Sequence, residues 1–240
     1  MIHHSSLTHQ SSMLVPSTSD PILLGLDEAG RGCIIGDLVV GAFWLPASKL
    51  DALRATGATD SKKLSAKKRN SILAMLPEIG SQARVHICPK EIDQGNLNQL
   101  EEQAFIQLIL EAKPDIVYID APTHPAGIPT VVRRIQQALT EQNMTSLPKF
   151  IVEPKADLTY PVVSAASIVA KVYRDQGLEE TGAEGSGYPS DPKTRTWLKT
   201  FIREGIPFPS CVRQRWGTVD NLKAEVAAEQ LSIPWTTDNR

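Results

Sequence analysis

The chain alternates short apolar runs with longer amphipathic stretches. Residues 22–26, Ile-Leu-Leu-Gly-Leu, form an unbroken apolar run with the length of a buried strand. Residues 34–45 are apolar and rich in β-branched side chains, broken at Gly36 and Gly41, and predict a second strand. Shorter strands are predicted over 84–88, 115–119 and 150–152. Helical patterns lie between them. One spans 65–76, opened by the capping residue Ser65. Another spans 97–112, with Leu97, Leu100, Ala104, Ile106, Leu108 and Ile109 apolar, and stops before Pro114. A third spans 129–142, with proline in its first turn. Residues 162–178 carry small and apolar side chains along one side. Strands first, then alternating helix and strand, predict an α/β fold: a mixed sheet flanked by helices.

Beyond Gly177 the strand signals fade, and helices are predicted over 190–204 and 218–231. Residues 1–20 are rich in Ser, Thr and His and lack the apolar stretch of a signal peptide, so they read as a disordered tail. The chain therefore divides into a tail (1–20), an α/β core (21–177) and a helical C-terminal region (178–240).

Composition narrows the function. At 240 residues, with 41% hydrophobic and 22% charged residues, the chain suits one large soluble domain with an appendage. No apolar run is long enough to span a bilayer, so no membrane association is expected. The formal net charge is −2, so the chain as a whole is no basic nucleic-acid coat, although local patches can still steer phosphates. Cys33, Cys88 and Cys211 lie far apart and form no C-x-x-C, which argues against a zinc ribbon or disulfide framework and for a cytoplasmic setting. His3, His4 and His9 fall in the tail, and His86 and His124 have no neighbouring ligand in sequence, so a histidine triad or zinc site is not expected.

The chemistry concentrates in acids at strand ends. Asp27 and Glu28 directly follow the first apolar run, and the turn Gly30-Arg31-Gly32 follows them with bare backbone N–H groups. Buried carboxylates are costly unless paired, protonated or bound to a metal. Asp120 ends the strand Ile116-Val117-Tyr118-Ile119, and Asp157 follows the strand Phe150-Ile151-Val152. In open α/β sheets neighbouring strand ends share one crevice. Oxygens gathered there suit Mg²⁺ or Mn²⁺, and a pair of such ions can drive phosphodiester cleavage. Taken singly, each acid is better read as capping a turn or facing solvent, but the Asp27-Glu28 pair against the Gly-Arg-Gly turn is harder to explain in that way. The glycines do not make a dinucleotide fold, because they lead into a strand and the acids before them would repel a pyrophosphate. Lys62 and Lys63, in a loop after Asp60-Ser61, are the better phosphate contacts, while Lys67, Lys68 and Arg69 suit a solvated helix face.

These blocks resemble a known family. Residues 25–32, Gly-Leu-Asp-Glu-Ala-Gly-Arg-Gly, resemble the signature of type 2 ribonuclease H, the ribonuclease HII family. Asp60-Ser61-Lys62-Lys63-Leu64 is similar to its second block, and Asp120 falls where its third acid stands. Lys155-Ala156-Asp157 and the stretch 160–175 give the longest match. Residues 185–192 resemble the archaeal and eukaryotic version.

The resemblance implies a ribonuclease H-like mixed sheet with a helical C-terminal extension. It implies an endonuclease that cuts the RNA strand of RNA–DNA hybrids, and single ribonucleotides embedded in a DNA duplex, leaving 5′-phosphate and 3′-hydroxyl ends. On matching positions Asp27, Glu28, Asp120 and Asp157 would be the catalytic acids and would hold Mg²⁺ or Mn²⁺. Gly30, Arg31 and Gly32 would read the 2′-hydroxyl, and Tyr188 would stack on the following deoxyribose. Lys62, Lys171 and Arg174 would contact the backbone, and Ser164 to Lys171 would pack around Asp157. The short C-terminus favours a monomer without accessory subunits.

Three positions depart from the family pattern: Cys33 and Asp37, where proline is usual, and Arg215 in place of serine. Cys33 is expected to loosen the turn. Residues 230–235 faintly resemble a sliding-clamp-binding peptide but lack its paired aromatics, and read as a chance match. The competing readings are a non-catalytic hybrid-binding module and another metal-dependent nuclease on the same fold.

Overall fold

The computed structural model describes residues 20–59, 61, 63–121 and 124–231. Most of the tail, Asp60, Lys62 and the greater part of the clamp-like segment lie outside those residues. Strands β1 (Ile22–Ala29), β2 (Leu38–Pro46) and β3 (Ser81–Ile87) form an antiparallel meander. Strands β4 (Ile116–Asp120) and β5 (Lys149–Glu153) add parallel to the free side of β1, giving the order β3-β2-β1-β4-β5. The expected mixed sheet is present.

Helices α1 (Leu50–Ala55) and α2 (Ala66–Ile79) connect β2 to β3. Helices α3 (Pro89–Gln94) and α4 (Leu97–Ala112) connect β3 to β4, and α5 (Ile128–Glu141) connects β4 to β5. After β5 come the single turn α6 (Ala156–Thr159), the long α7 (Pro161–Glu180), and then α8 (Pro192–Glu204) and α9 (Gly217–Leu231). The short α1, α3 and α6 have too few turns to show a period, and the sequence pattern missed them. The expected strand over 34–45 begins only at Leu38. Ile34 and Ile35 instead pack into the C-terminal region, where Ile35 bridges to Val212.

The core has two layers with the sheet between them. Leu24, Leu26, Val40, Val117 and Ile119 face α4 and α5, packing on Phe105, Leu108, Ile109 and Ile135. Leu23, Phe43 and Leu45 face the other way, onto α2 and α7 through Ile72, Leu76, Val163, Ala166 and Val169. A third cluster, with Ile34, Ile35, Leu178, Leu198, Val212, Val219 and Leu222, joins the C-terminal helices to the segment after β1. A boundary after residue 177 would fall inside α7, which runs on to Glu180.

Helix α7 lies almost in backbone contact with β1 and β2. A Cβ on Gly25 would stand 2.2 Å from the carbonyl of Val162, and one on Gly41 would stand 2.4 Å from the carbonyl oxygen of Ala166. Neither position admits a side chain unless the helix lifts. Small residues on the helix, Ala165, Ala166 and Ala170, complete the fit.

Gly41→Ala is therefore expected to cost about 2–3 kcal/mol, the usual penalty for overpacking a filled core. Urea unfolding of the variant against the parent measures it. A loss below 0.5 kcal/mol, the scale of an ordinary surface change, would mean that α7 sits on the sheet less tightly than these distances require.

Candidate active site

Alternation along β1 sends its two acids to opposite faces of the sheet. Asp27 follows Leu23 and Gly25 onto the α7 face, and Glu28 follows Leu24 and Leu26 onto the α4 face. Leu26 pairs with Ile119 in the parallel register, so Asp27 and Asp120 come next to each other at the ends of adjacent strands. Asp120 Oδ1 accepts the backbone N–H of Ala156 at 3.1 Å, tying β4 to the turn that carries Asp157. That turn passes through Lys155, a non-glycine residue in the left-handed region with φ 63°. Asp157 is buried in α6, and its backbone carbonyl accepts the hydroxyl of Ser164 at 2.6 Å.

All four acids thus reach the same end of the sheet. Among the described residues, however, no three acids, histidines or cysteines close around one point tightly enough to hold a metal ion by themselves.

The electrostatic consequence is mutual repulsion. Burial, then the charges of Glu28 and Asp120, push the Asp27 carboxyl well above the usual carboxylate range. Burial and the nearby Glu101 push Glu28 up to about 7, against the pull of the Arg31 guanidinium. Glu101, on α4, is pushed up to about 7 by burial despite its contact with Arg31.

A cleft of about 410 Å³ opens beside these acids. Its walls include Asp27, Glu28, the Gly30–Gly32 turn, Ser61, Ser167, Lys171 and Tyr188. Ser167 hydrogen-bonds the Asp27 carboxylate and exchanges a 2.7 Å bond with the Ser61 hydroxyl. Arg69 donates to the backbone oxygens of Ser61 and Leu64, at 3.0 and 2.6 Å, and to Asp175. The loop carrying Ser61 is thereby stitched to α7. Arg69, expected on a solvated helix face, acts as structural cement.

The glycine turn is held from both sides. Arg213, in the segment between α8 and α9, is fully buried and donates to the carbonyls of Gly30 (2.7 Å), Arg31 (3.0 Å) and Gly36 (2.9 and 3.1 Å). A carbonyl fixed toward Arg213 turns the following N–H away from it, because the peptide group is planar and trans. The N–H groups of Arg31 and Gly32 are set in this way. The Arg31 side chain reaches in another direction, to Glu101 and Asn98 on α4.

Tyr188 is exposed, with the Arg174 guanidinium 5.3 Å from its ring centre. Burial and its contact with Cys33 push its hydroxyl up to about 12. Lys171 lines the cleft and bonds Asp175 at 2.8 Å. Arg174 does not line it. It is buried, and its terminal nitrogens go to Cys33 Sγ (2.8 Å), the Ser186 carbonyl (2.5 Å) and Asp175 (3.1 Å). Of the residues expected to touch substrate, Arg174 is the one the structure turns inward, and Lys62 lies outside the described residues.

A comparison of the whole chain with known families finds one whose model, Ribonuclease HII, matches residues 24–219. The chain belongs to the ribonuclease HII family. It is accordingly an endoribonuclease of the ribonuclease H type. Ribonuclease HII of Pyrococcus furiosus is 39% identical over 218 residues, covering 87% of this chain and 94% of the relative. That of Archaeoglobus fulgidus is 40% identical over 207 residues, covering 83% and 95%. Among solved structures, the complex of PCNA with ribonuclease HII from Archaeoglobus fulgidus superposes with a TM-score of 0.73 at 38% identity, covering 84% of this chain and 96% of that one. Ribonuclease H2 of Pyrococcus horikoshii gives a TM-score of 0.73 at 34% identity, covering 86% and 99%.

The departures from the ribonuclease HII pattern have local explanations. Cys33 does not loosen the turn. Its N–H closes the turn onto the Gly30 carbonyl at 3.1 Å, a bond proline cannot make, and its sulfur accepts from Arg174. Asp37 pairs with His86 at 3.1 Å. Arg215 is taken up by Asp93, whose carboxylate and carbonyl bind its backbone and side chain.

The two glycines of the turn serve different ends. Gly30 has φ +90°, and a Cβ there would stand 2.5 Å from the Asp37 carbonyl oxygen. Gly32 is exposed, and a Cβ there would meet nothing closer than a Tyr188 ring carbon at 3.8 Å. The fold requires glycine at 30 only. Gly30→Ala is expected to lose about 2 kcal/mol or more in urea unfolding, and Gly32→Ala to stay within about 0.5 kcal/mol of the parent. Equal losses at both sites would contradict this division.

Proposed function

We propose that the protein cuts the RNA strand of RNA–DNA hybrids, and single ribonucleotides embedded in duplex DNA, with Mg²⁺ or Mn²⁺ held by Asp27, Glu28, Asp120 and Asp157. The observation that carries this reading is the set of mutually repelling, largely buried carboxylates beside a turn whose backbone N–H groups are held in fixed directions. The donor set fits the metal. Carboxylate oxygens suit a hard cation, and among the described residues no base offsets the forces that raise Asp27. A magnesium site needs only one or two carboxylates, with water and substrate phosphate completing it, so a closed protein cage is not required. Two such ions, when bound, lower the pKa of the attacking water and stabilise the leaving oxygen.

The chain's own residues supply orientation and selection. Ser167 fixes the Asp27 carboxylate by a hydrogen bond. Asp120 holds the turn that carries Asp157. The N–H groups of the Gly30–Gly32 turn donate to the 2′-hydroxyl oxygen, which DNA lacks. Tyr188 offers its exposed ring to the deoxyribose after the ribonucleotide, while Arg174 and Cys33 hold that ring from behind. Lys171 contacts a phosphate from the cleft wall, and Lys62 another. Hydrolysis then breaks the bond from phosphorus to the ribose 3′-oxygen, leaving a 3′-hydroxyl and a 5′-phosphate. The chain is read as acting alone on nucleic acid inside the cell. Among its described residues no helix is long and apolar enough to cross a membrane.

Incubation with a duplex carrying one ribonucleotide tests the reading. Cleavage is expected with either metal, lost with chelator, and absent on an all-DNA duplex. Binding without cleavage in both metals would make the protein a hybrid-binding module. Asp27→Asn is expected to lower the rate on the order of 10³-fold, about 4 kcal/mol of barrier. The same change should raise the melting temperature of the metal-free protein, because it removes a buried charge that burial and its neighbours disfavour. A variant both inactive and less stable would contradict that account.

The pH dependence follows from the same groups. Glu28 and Glu101 are raised from 4.5 to about 7 in the folded chain. Between these values the unfolded chain releases protons that the folded chain keeps. Rising pH therefore favours unfolding, and the stability from these groups is lost from about pH 4.5 to about pH 7. Bound metal should reverse the part of the loss that comes from Glu28, since cations and protons compete for its oxygens. Thermal scans should show Mn²⁺ raising the melting temperature by about 5 °C at pH 8 and by much less at pH 5. A larger effect at pH 5 would rule this out.

A further inference from the structure

Helix α4 packs on the sheet through a stripe at Ala104, Phe105, Leu108, Ile109 and Ala112. Continued one turn toward the helix start, the i, i+3, i+4 spacing of that stripe falls on position 101. The residue there is Glu101, with a side chain 1% exposed. Packing gives no reason for a carboxylate at this position, and burying one is costly unless it is paired. Its partner is Arg31 of the glycine turn, whose Nη1 donates to Glu101 Oε2 while Nη2 donates to Asn98 Oδ1. Both arms of the guanidinium are thus taken by one helix. Glu101 Oε1 is buried with no hydrogen-bond partner among the described residues. The contact joins residues seventy apart in the chain.

We propose that Glu101 is a positioning residue for ribose selection: by drawing the Arg31 side chain onto α4 it fixes the Gly30–Gly32 turn, so that backbone N–H groups and not the guanidinium face the substrate sugar. Arg213 fixes the carbonyls of that turn from the C-terminal side, and Glu101 fixes its one long side chain from the opposite side. With both anchors in place the N–H groups of Arg31 and Gly32 keep one direction. Without Glu101, Arg31 can swing into the cleft, and a mobile cation there attracts any phosphate, in DNA as in RNA. The selective term would fall and the unselective one would rise. The inference rests on the proposed ribose-reading function.

The test is a double-mutant cycle on binding preference, measured in Ca²⁺ by fluorescence anisotropy as the ratio of Kd for an all-DNA duplex to Kd for a duplex with one ribonucleotide. Glu101→Leu continues the apolar stripe and should fold, which thermal unfolding checks. It and Arg31→Met are each expected to lower the ratio about tenfold, with the double variant no lower than either, because the two residues act as a unit. Glu101→Gln keeps an acceptor for Arg31 and should restore most of the preference. Asn98→Ala, at an exposed site, should lower it about threefold, and it decides the matter if Glu101→Leu fails to fold. Mn²⁺ affinity, by calorimetry, should be unchanged in Glu101→Leu. Unchanged ratios in the folded variants, or additive losses in the cycle, would overturn the proposal. So would a fall in Mn²⁺ affinity with the ratio intact, since Glu101 would then serve the metal. A parent protein with no ribonucleotide preference would instead overturn the functional reading on which this inference rests.

Discussion

The near-contact of α7 with the sheet is the constraint on which the site depends. Two glycines, Gly25 and Gly41, remove the side chains that would hold the helix off, and its backbone descends to about the closest separation two backbones permit. One stripe of α7 then runs along the site. Ser164 takes the carbonyl of Asp157, Ser167 reaches Asp27 and Ser61, Lys171 lines the cleft, and Arg174 supports Tyr188. The spacing of 164, 167, 171 and 174 is that of one helix face. Raising the helix by the width of a methyl group would shift all four together, and hydrogen bonds of 2.6 and 2.7 Å have no slack to absorb it.

That tight frame holds charges that repel one another. A folded chain tolerates buried carboxylates only if something else stabilises them. Here Asp27, Glu28 and Glu101 stay raised above their usual range, and among the described residues the counter-charge that lowers Glu28 is Arg31, which Glu101 shares. On the proposed reading a bound cation would relieve this conflict, and stability and function would pull in opposite directions at Asp27, as is common where activity needs a destabilised group.

Much of this was legible in the sequence, for a local reason. Asp27, Glu28, Asp120 and Asp157 each follow an apolar run, and strand ends in an α/β sheet share a crevice whatever the sequence distance between them. Glu101 and Arg213 were not legible. Glu101 stands beside Glu102 on an amphipathic helix, where a pair of acids reads as a solvated face, and only the fold shows that both are buried, Glu101 against Arg31 and Glu102 against Arg134. Arg213 holds Gly30 from 183 positions away, and no local pattern carries such a contact. The strand expected to start at Ile34 failed for a related reason. Its first apolar residues answer to Leu198, Val212 and Leu222 in the C-terminal region, not to the sheet.

The C-terminal region is consequently part of the site and not an appendage to it. Arg213 and Tyr188 both lie beyond Gly177, and both act on the turn that follows β1. Gly187 is bound into the same arrangement, its carbonyl accepting from the N–H of Ile34 at 2.8 Å. A buried guanidinium satisfied mainly by carbonyls is expensive, and burial draws Arg213 down to about 10. The cost makes sense if the prize is orientation. A carboxylate partner would hold the arginine more cheaply, but it would leave the carbonyls of Gly30, Arg31 and Gly36 unfixed. Spending the guanidinium on those carbonyls converts a flexible glycine turn into a rigid one, and it ties the segment that follows the acids of β1 to the C-terminal helices.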